Sequence, residues 1–120
     1  DAIDDRLKNT PDRRVGRAVE LLAARPFEPW SLGSVAREVG VHPMHLARIF
    51  RRARGESMGE MVRRLRIEIA TERLARTGES VADVALASGF SDQPHLTRVF
   101  RKETGMTPAA FRATLRSFKT

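Results

Sequence analysis

Two stretches of this chain repeat one another at an offset of about 50 residues, and that repeat constrains the fold more than any other feature. The first runs from Ser31 to Arg51 and the second from Ser80 to Arg101. Val35-Ala36 matches Val84-Ala85, Gly40 matches Gly89, and His45-Leu46-x-Arg48-x-Phe50-Arg51 matches His95-Leu96-x-Arg98-x-Phe100-Arg101. The second copy carries one extra residue between its glycine and its leucine, which its turn or the start of its second helix must absorb. A solenoid needs about three stacked units to close its core, so two copies indicate a duplicated module.

Each copy reads as a helix, a glycine turn and a second helix. No segment alternates apolar and polar residues as a half-buried strand does, and nearly every apolar residue falls at helical spacing. The predicted fold is all-α, with seven helices in two helix-turn-helix lobes joined by a long connecting helix. Residues 1–10 form a linker or frayed end, and 11–120 form the double domain: lobe one about 11–56, the connecting helix about 57–77, lobe two about 78–120.

Local signals place the helix ends. Thr10-Pro11 and Thr107-Pro108 each offer a cap followed by proline at the first helical position. Val15, Ala18, Val19 and Leu22 form the stripe of the first helix, which Pro26 ends; Phe111, Leu115 and Phe118 form that of the last. Trp30, just before a helix start, is a packing anchor rather than a platform for bases. Ser31 with Ser34, and Ser80 with Asp83, are placed to cap the first helix of each copy. Gly40 and Gly89 supply the backbone needed beyond it, and Gly55 and Gly105 end the second helices.

The joining segment is apolar on two sides. At about 100° per residue, Met58, Met61, Val62, Leu65 and Ile69 fall on one side and Ile67, Ala70 and Leu74 on nearly the opposite one. A helix of that kind needs two cores.

Around Gly40, the small Ala36 lets the first helix approach the second, and Val35, Val39, Val41, Leu46 and Ile49 lock the pair at a steep angle. That is the packing pattern of a DNA-binding helix-turn-helix. With Leu46, Ile49 and Phe50 inward, Met44, Arg48 and Arg51 point outward with Ala47 beside them. With Leu96, Val99 and Phe100 inward, Pro94, Arg98 and Arg101 point outward with Thr97 beside them. The start of a recognition helix reaches base edges and later residues meet the backbone. Met44, Ala47, Arg48, Gln93, His95, Thr97 and Arg98 are therefore assigned to base reading, and Arg51, Arg52, Arg101 and Lys102 to phosphates; phosphate is an alternative partner for His95 and, in second place, for His45. Arg48 and Arg98 suit the O6 and N7 of guanine, Gln93 suits adenine, and Met44, Ala47 and the Thr97 methyl suit a thymine methyl.

Composition agrees. Lys and Arg number 22 against 15 Asp and Glu, a formal net charge of +7, in the range of nucleic-acid-binding domains. Arg48, Arg51, Arg52, Arg54, Arg63, Arg64 and Arg66 crowd a stretch holding only Glu56 and Glu60; a solvated helix face is the plainer account of such a run taken alone. There is no cysteine, which removes disulfides, thiol catalysis and cysteine-based zinc sites. His42 and His45 have helical ligand spacing but no carboxylate partner on their side, so no metal is expected; His42 instead stands at the N-cap before Pro43. No phosphate-binding loop, nucleophile elbow or catalytic carboxylate pair occurs, so neither enzyme activity nor a cofactor is expected. No run approaches a membrane span and no leader is seen, which makes a cytoplasmic protein the expectation. The start at Asp1 without methionine suggests a piece of something longer.

The second copy, Ala85-x3-Gly89-Phe90-Ser91-Asp92-Gln93-x-His95-Leu96-x-Arg98-Val99-Phe100-Arg101-Lys102-x2-Gly105-x-Thr107-Pro108-x2-Phe111-Arg112, resembles the C-terminal signature of AraC/XylS-type bacterial transcription regulators. Arg63 to Leu74 is similar to that family's connecting helix, and the likeness covers about residues 15–116. It departs from the family pattern at His42, where a serine-like cap is customary, and at Met61 and Phe111, where tyrosine is common. The resemblance implies two recognition helices in successive major grooves on one face of double-stranded DNA, a separate sensing or dimerisation domain in the intact protein, and activation of transcription. RNA polymerase is then a further candidate partner. The domain alone is expected to be monomeric, and the intact protein to dimerise, if at all, through a region absent here. Two other readings stay open: a helical protein-interaction module with a basic face, and a non-specific DNA binder.

Overall fold

The computed structural model describes residues 11–119, and all regular structure among them is helical: α1 Pro11–Ala24, α2 Leu32–Val39, α3 Pro43–Arg54, α4 Met58–Arg76, α5 Val81–Ala87, α6 Gln93–Thr104 and α7 Pro108–Lys119. The expected linker and the Thr10 cap lie outside the described residues. The chain divides into two compact units, Asp1–Val62 and Arg63–Thr120, so the division falls inside α4.

The core of the first unit contains Val15, Ala18 and Leu22 of α1, Val35, Ala36 and Val39 of α2, and Leu46, Ile49 and Phe50 of α3, all buried. Met58, Met61 and Val62 of α4 are buried in the same unit. Val19 is only half-buried. Trp30 is also half-buried, and its indole N–H donates at 2.8 Å to the carbonyl of Arg25, which also accepts the Glu28 N–H at 3.1 Å just past the end of α1.

The second unit gathers Ile67, Ala70 and Leu74 of α4 with Val84, Ala85, Phe90, Leu96, Val99 and Phe100, and Val81 and Phe111 pack against this cluster. Phe111 meets Phe100 edge-on with ring centroids 5.6 Å apart. Ser88, fully buried, donates its hydroxyl to the carbonyl of Val84 at 2.7 Å, which removes the penalty of an unpaired polar group.

Helix α4 is thus buried on opposite sides in its two halves, as its sequence requires. Leu65 and Ile69, expected on the first of those sides, are only half-buried. The last helix corrects the sequence reading at one point. Phe111 and Leu115 are partly covered, but Phe118 is 85% exposed, so the apolar stripe of α7 outruns the core it serves.

Candidate nucleic-acid interface

Each candidate recognition helix is set by the turn before it. In the first unit, Ser31 and Ser34 form a reciprocal capping box at the start of α2, with both hydrogen bonds near 3.0 Å. The helix ends at Gly40 in the left-handed conformation at φ 76°, where a side chain would strain the backbone. The carbonyl of Ala36 takes the N–H groups of both Gly40 and Val41, at 2.9 and 3.1 Å. His42 then caps α3 as its position suggests, its Nδ1 accepting from the Met44 N–H at 3.1 Å.

The second unit repeats this plan with different parts. The Ser80 hydroxyl accepts from the Asp83 N–H at 3.1 Å. Helix α5 stops at Ser88, Gly89 follows at φ 97°, and the Phe90 N–H returns to the carbonyl of Ala85 at 3.0 Å. Asp92 caps α6, accepting from the His95 N–H at 2.8 Å. Sequence reasoning missed this cap, although an aspartate ahead of a Gln-Pro helix start is a usable signal.

The two caps settle where the extra residue goes. Leu46 stands four residues after the cap His42, and Leu96 four after the cap Asp92, so the helices share one frame. Between glycine and cap there is Val41 in the first turn, but Phe90 and Ser91 in the second. The turn absorbs the insertion and leaves the helix surface in register.

In that frame Met44 aligns with Pro94, Ala47 with Thr97, Arg48 with Arg98, and Arg51 with Arg101. Met44, Arg48, Arg51 and Arg52 are exposed on α3, with Met44 59% exposed despite being apolar, and Ala47 is half-covered. On α6, Gln93, Arg98, Arg101 and Lys102 are exposed and Thr97 is half-covered. Gln93, Pro94, Thr97, Arg98, Arg101 and Lys102 line one open concave surface. It therefore collects the expected α6 residues with one exception. His95 lies outside it, half-buried, its Nδ1 held by Ser91 and its ring edge-on to Phe90 at 5.2 Å.

The two arginine sets differ in their neighbours. An Arg51 amino nitrogen lies 3.7 Å from Oε1 of Glu60 on α4, with both side chains largely exposed. The repeat places Ala110 at the position of Glu60, so Arg101 has no acidic counterpart there. Among the described residues, no group of three His, Cys, Asp or Glu side chains is placed to hold a metal ion. No helix among them is long and apolar enough to cross a membrane.

The geometry is matched by known proteins. The profile of a family described as a helix-turn-helix domain covers residues 35–114. The chain is 40% identical over 81 residues to the probable transcription factor PqrA of Proteus vulgaris, across 68% of this chain and 66% of that protein. It spans only 29–66% of the length of the first curated relatives it matches. Among solved structures, an AraC-type transcriptional regulator from Chromobacterium violaceum superposes with a TM-score of 0.76 at 32% identity, covering 86% of this chain and 92% of that one. The DNA-binding domain of the global transcriptional factor AdpA, solved in complex with a target DNA, superposes with a TM-score of 0.82 at 25% identity, covering 87% and 94%. The chain accordingly belongs to the AraC/XylS-type helix-turn-helix family, as a DNA-binding domain of its transcription regulators.

Proposed function

We propose that residues 11–120 act as one reader of specific double-stranded DNA, with α3 and α6 entering major-groove segments one helical turn apart. A site of roughly 20 bp then suffices for one chain. Met44, Ala47, Arg48, Gln93, Thr97 and Arg98 read base edges, while Arg51, Arg52, Arg101 and Lys102 hold phosphates. His95, assigned to base reading from the sequence, lies outside the surface formed by the other α6 residues. The observation that carries this reading is the shared helix frame, in which Arg48 and Arg98 occupy the sixth position after their caps and are both exposed. A basic face made only for acidic protein partners has no need of that coincidence.

The family resemblance further supports a regulator that works in the cytoplasm and activates transcription, with RNA polymerase as a candidate partner. The single domain binds as a monomer. Titration of the purified domain onto promoter fragments at several salt concentrations tests the reading. Fragments should separate by affinity, and the salt slope should report several phosphate contacts. Equal affinity for all sequences contradicts it.

A further inference from the structure

The extra residue of the second turn has a structural consequence. It brings Ser91 against the ring of His95, and the Ser91 N–H donates to His95 Nδ1 at 3.3 Å while the Ser91 hydroxyl lies 3.1 Å from the same nitrogen. A hydroxyl can donate or accept, but a main-chain N–H can only donate. The Ser91 N–H contact therefore favours the tautomer with Nδ1 unprotonated and the proton on Nε2. Phe90, 3% exposed, braces the ring edge-on, with centroids 5.2 Å apart and planes at 87°. The first turn has one residue fewer and Val41 in place of Phe90, so it builds no such latch for His45.

We propose that Phe90 and Ser91 hold the His95 ring so that its Nε2–H donates to a non-bridging oxygen of one DNA phosphate at the half-site read by α6. This rests on the DNA-reading function proposed above and moves His95 from base reading to backbone positioning. Two observations favour phosphate over base. The ring is tied back to the turn through Nδ1 and has a shorter reach than the exposed Arg98. It also lies outside the concave surface formed by Gln93, Thr97 and Arg98. A braced donor loses little conformational freedom on binding, and such contacts set register without carrying sequence information.

Three measurements test it. Ring ¹⁵N shifts of the free domain, taken where His95 is neutral, should show Nδ1 unprotonated and Nε2 protonated; the reverse tautomer overturns the proposal. His95→Ala should weaken binding to the selected site and to an unrelated duplex by a similar factor, about tenfold. His95→Gln, which keeps an N–H near the Nε2 position, should recover most of that loss. Loss confined to one base pair, or no recovery with glutamine, overturns it. Finally, neutral methylphosphonate linkages are placed one at a time in the selected site. At one position the wild type should lose affinity and His95→Ala should not; absence of any such position overturns the proposal. Failure of the wild type to prefer any sequence would instead condemn the reading on which it rests, so the two failures are distinct.

Discussion

The guanidinium Nε of Arg112 donates to the main-chain carbonyl of Leu74 at 3.1 Å, joining the last helix to the end of the connecting helix across 38 residues of chain. The same side chain donates through its other nitrogens to the carbonyls of Glu79 and Thr77. Of these, the Leu74 carbonyl lies in the last turn of α4, where carbonyls lack a partner within the helix and carry partial negative charge, so the cation both satisfies and neutralises it. Arg112 is half-buried, which limits water's ability to replace it.

Arg112→Ala should destabilise the second unit by about 2 kcal/mol, the scale of hydrogen bonds to a charged group. Arg112→Lys should fall between, since an ammonium cannot reproduce the three-way fork. Urea denaturation followed by helix signal measures both; equal midpoints for wild type and alanine variant would show that the clamp adds no stability.

A second prediction concerns the odd cap of α3. Because His42 Nδ1 accepts the Met44 N–H, His42→Ala should cost about 1 kcal/mol, while His42→Ser should cost nothing or stabilise, serine being the stronger cap. Thermal unfolding of the pair decides it. Alanine matching serine would mean the imidazole cap contributes nothing.

Beside Arg112, the Arg73 guanidinium donates to Glu79 Oε1 at 2.7 Å. That hydrogen bond, helped by one from Thr77 and by the charges of Arg73 and Arg112, holds the Glu79 carboxyl below the ordinary glutamate range against a smaller opposing effect of burial. A carboxylate depressed in the folded state adds stability above its unfolded value near pH 4.3, and that stability drains away as pH falls through the folded value. Stability should thus decline on acidification below about pH 5, and Glu79→Gln should flatten part of that decline. A variant with an unchanged pH profile would remove Glu79 from the account.

Much of this was legible in the chain itself, for reasons that can be named. Periodicity exposes the two-sided burial of α4, because Met58, Met61 and Val62 lie opposite Ile67, Ala70 and Leu74 on any regular helix. The caps Ser31, His42 and Ser80 act within three residues, so their spacing is enough. What escaped depends on contacts remote in sequence or on the limit of a core. Nothing in the spacing of Arg112 reveals that it will meet carbonyls of residues 74, 77 and 79. Phe118 fits the stripe of α7 as well as Phe111 does, and only the extent of the core shows that one is covered and the other bare. The latch on His95 needs a turn geometry that the insertion alone does not specify.

The unequal surroundings of Arg51 and Arg101 yield a prediction of gain. Glu60, 3.7 Å from Arg51, sets a negative charge beside a residue proposed to meet phosphate. Replacing it by glutamine should tighten DNA binding by roughly threefold, in keeping with the modest worth of exposed ion pairs. The gain should shrink at high salt as the pair is screened. Binding isotherms at two salt concentrations check this; weaker binding would show instead that Glu60 holds Arg51 in its useful position.

The central claim is that one chain reads two different half-sites with Arg48 and Arg98. Its most direct measurement is selection of bound sequences from a random duplex pool by wild type, Arg48→Ala and Arg98→Ala. The wild type should enrich one asymmetric site with two information-rich segments about one helical turn apart. Each variant should lose preference for a guanine in one segment only, with about 1–3 kcal/mol of discrimination lost there and the other segment intact. Selection of no consensus, or loss of both segments in either variant, would contradict the account.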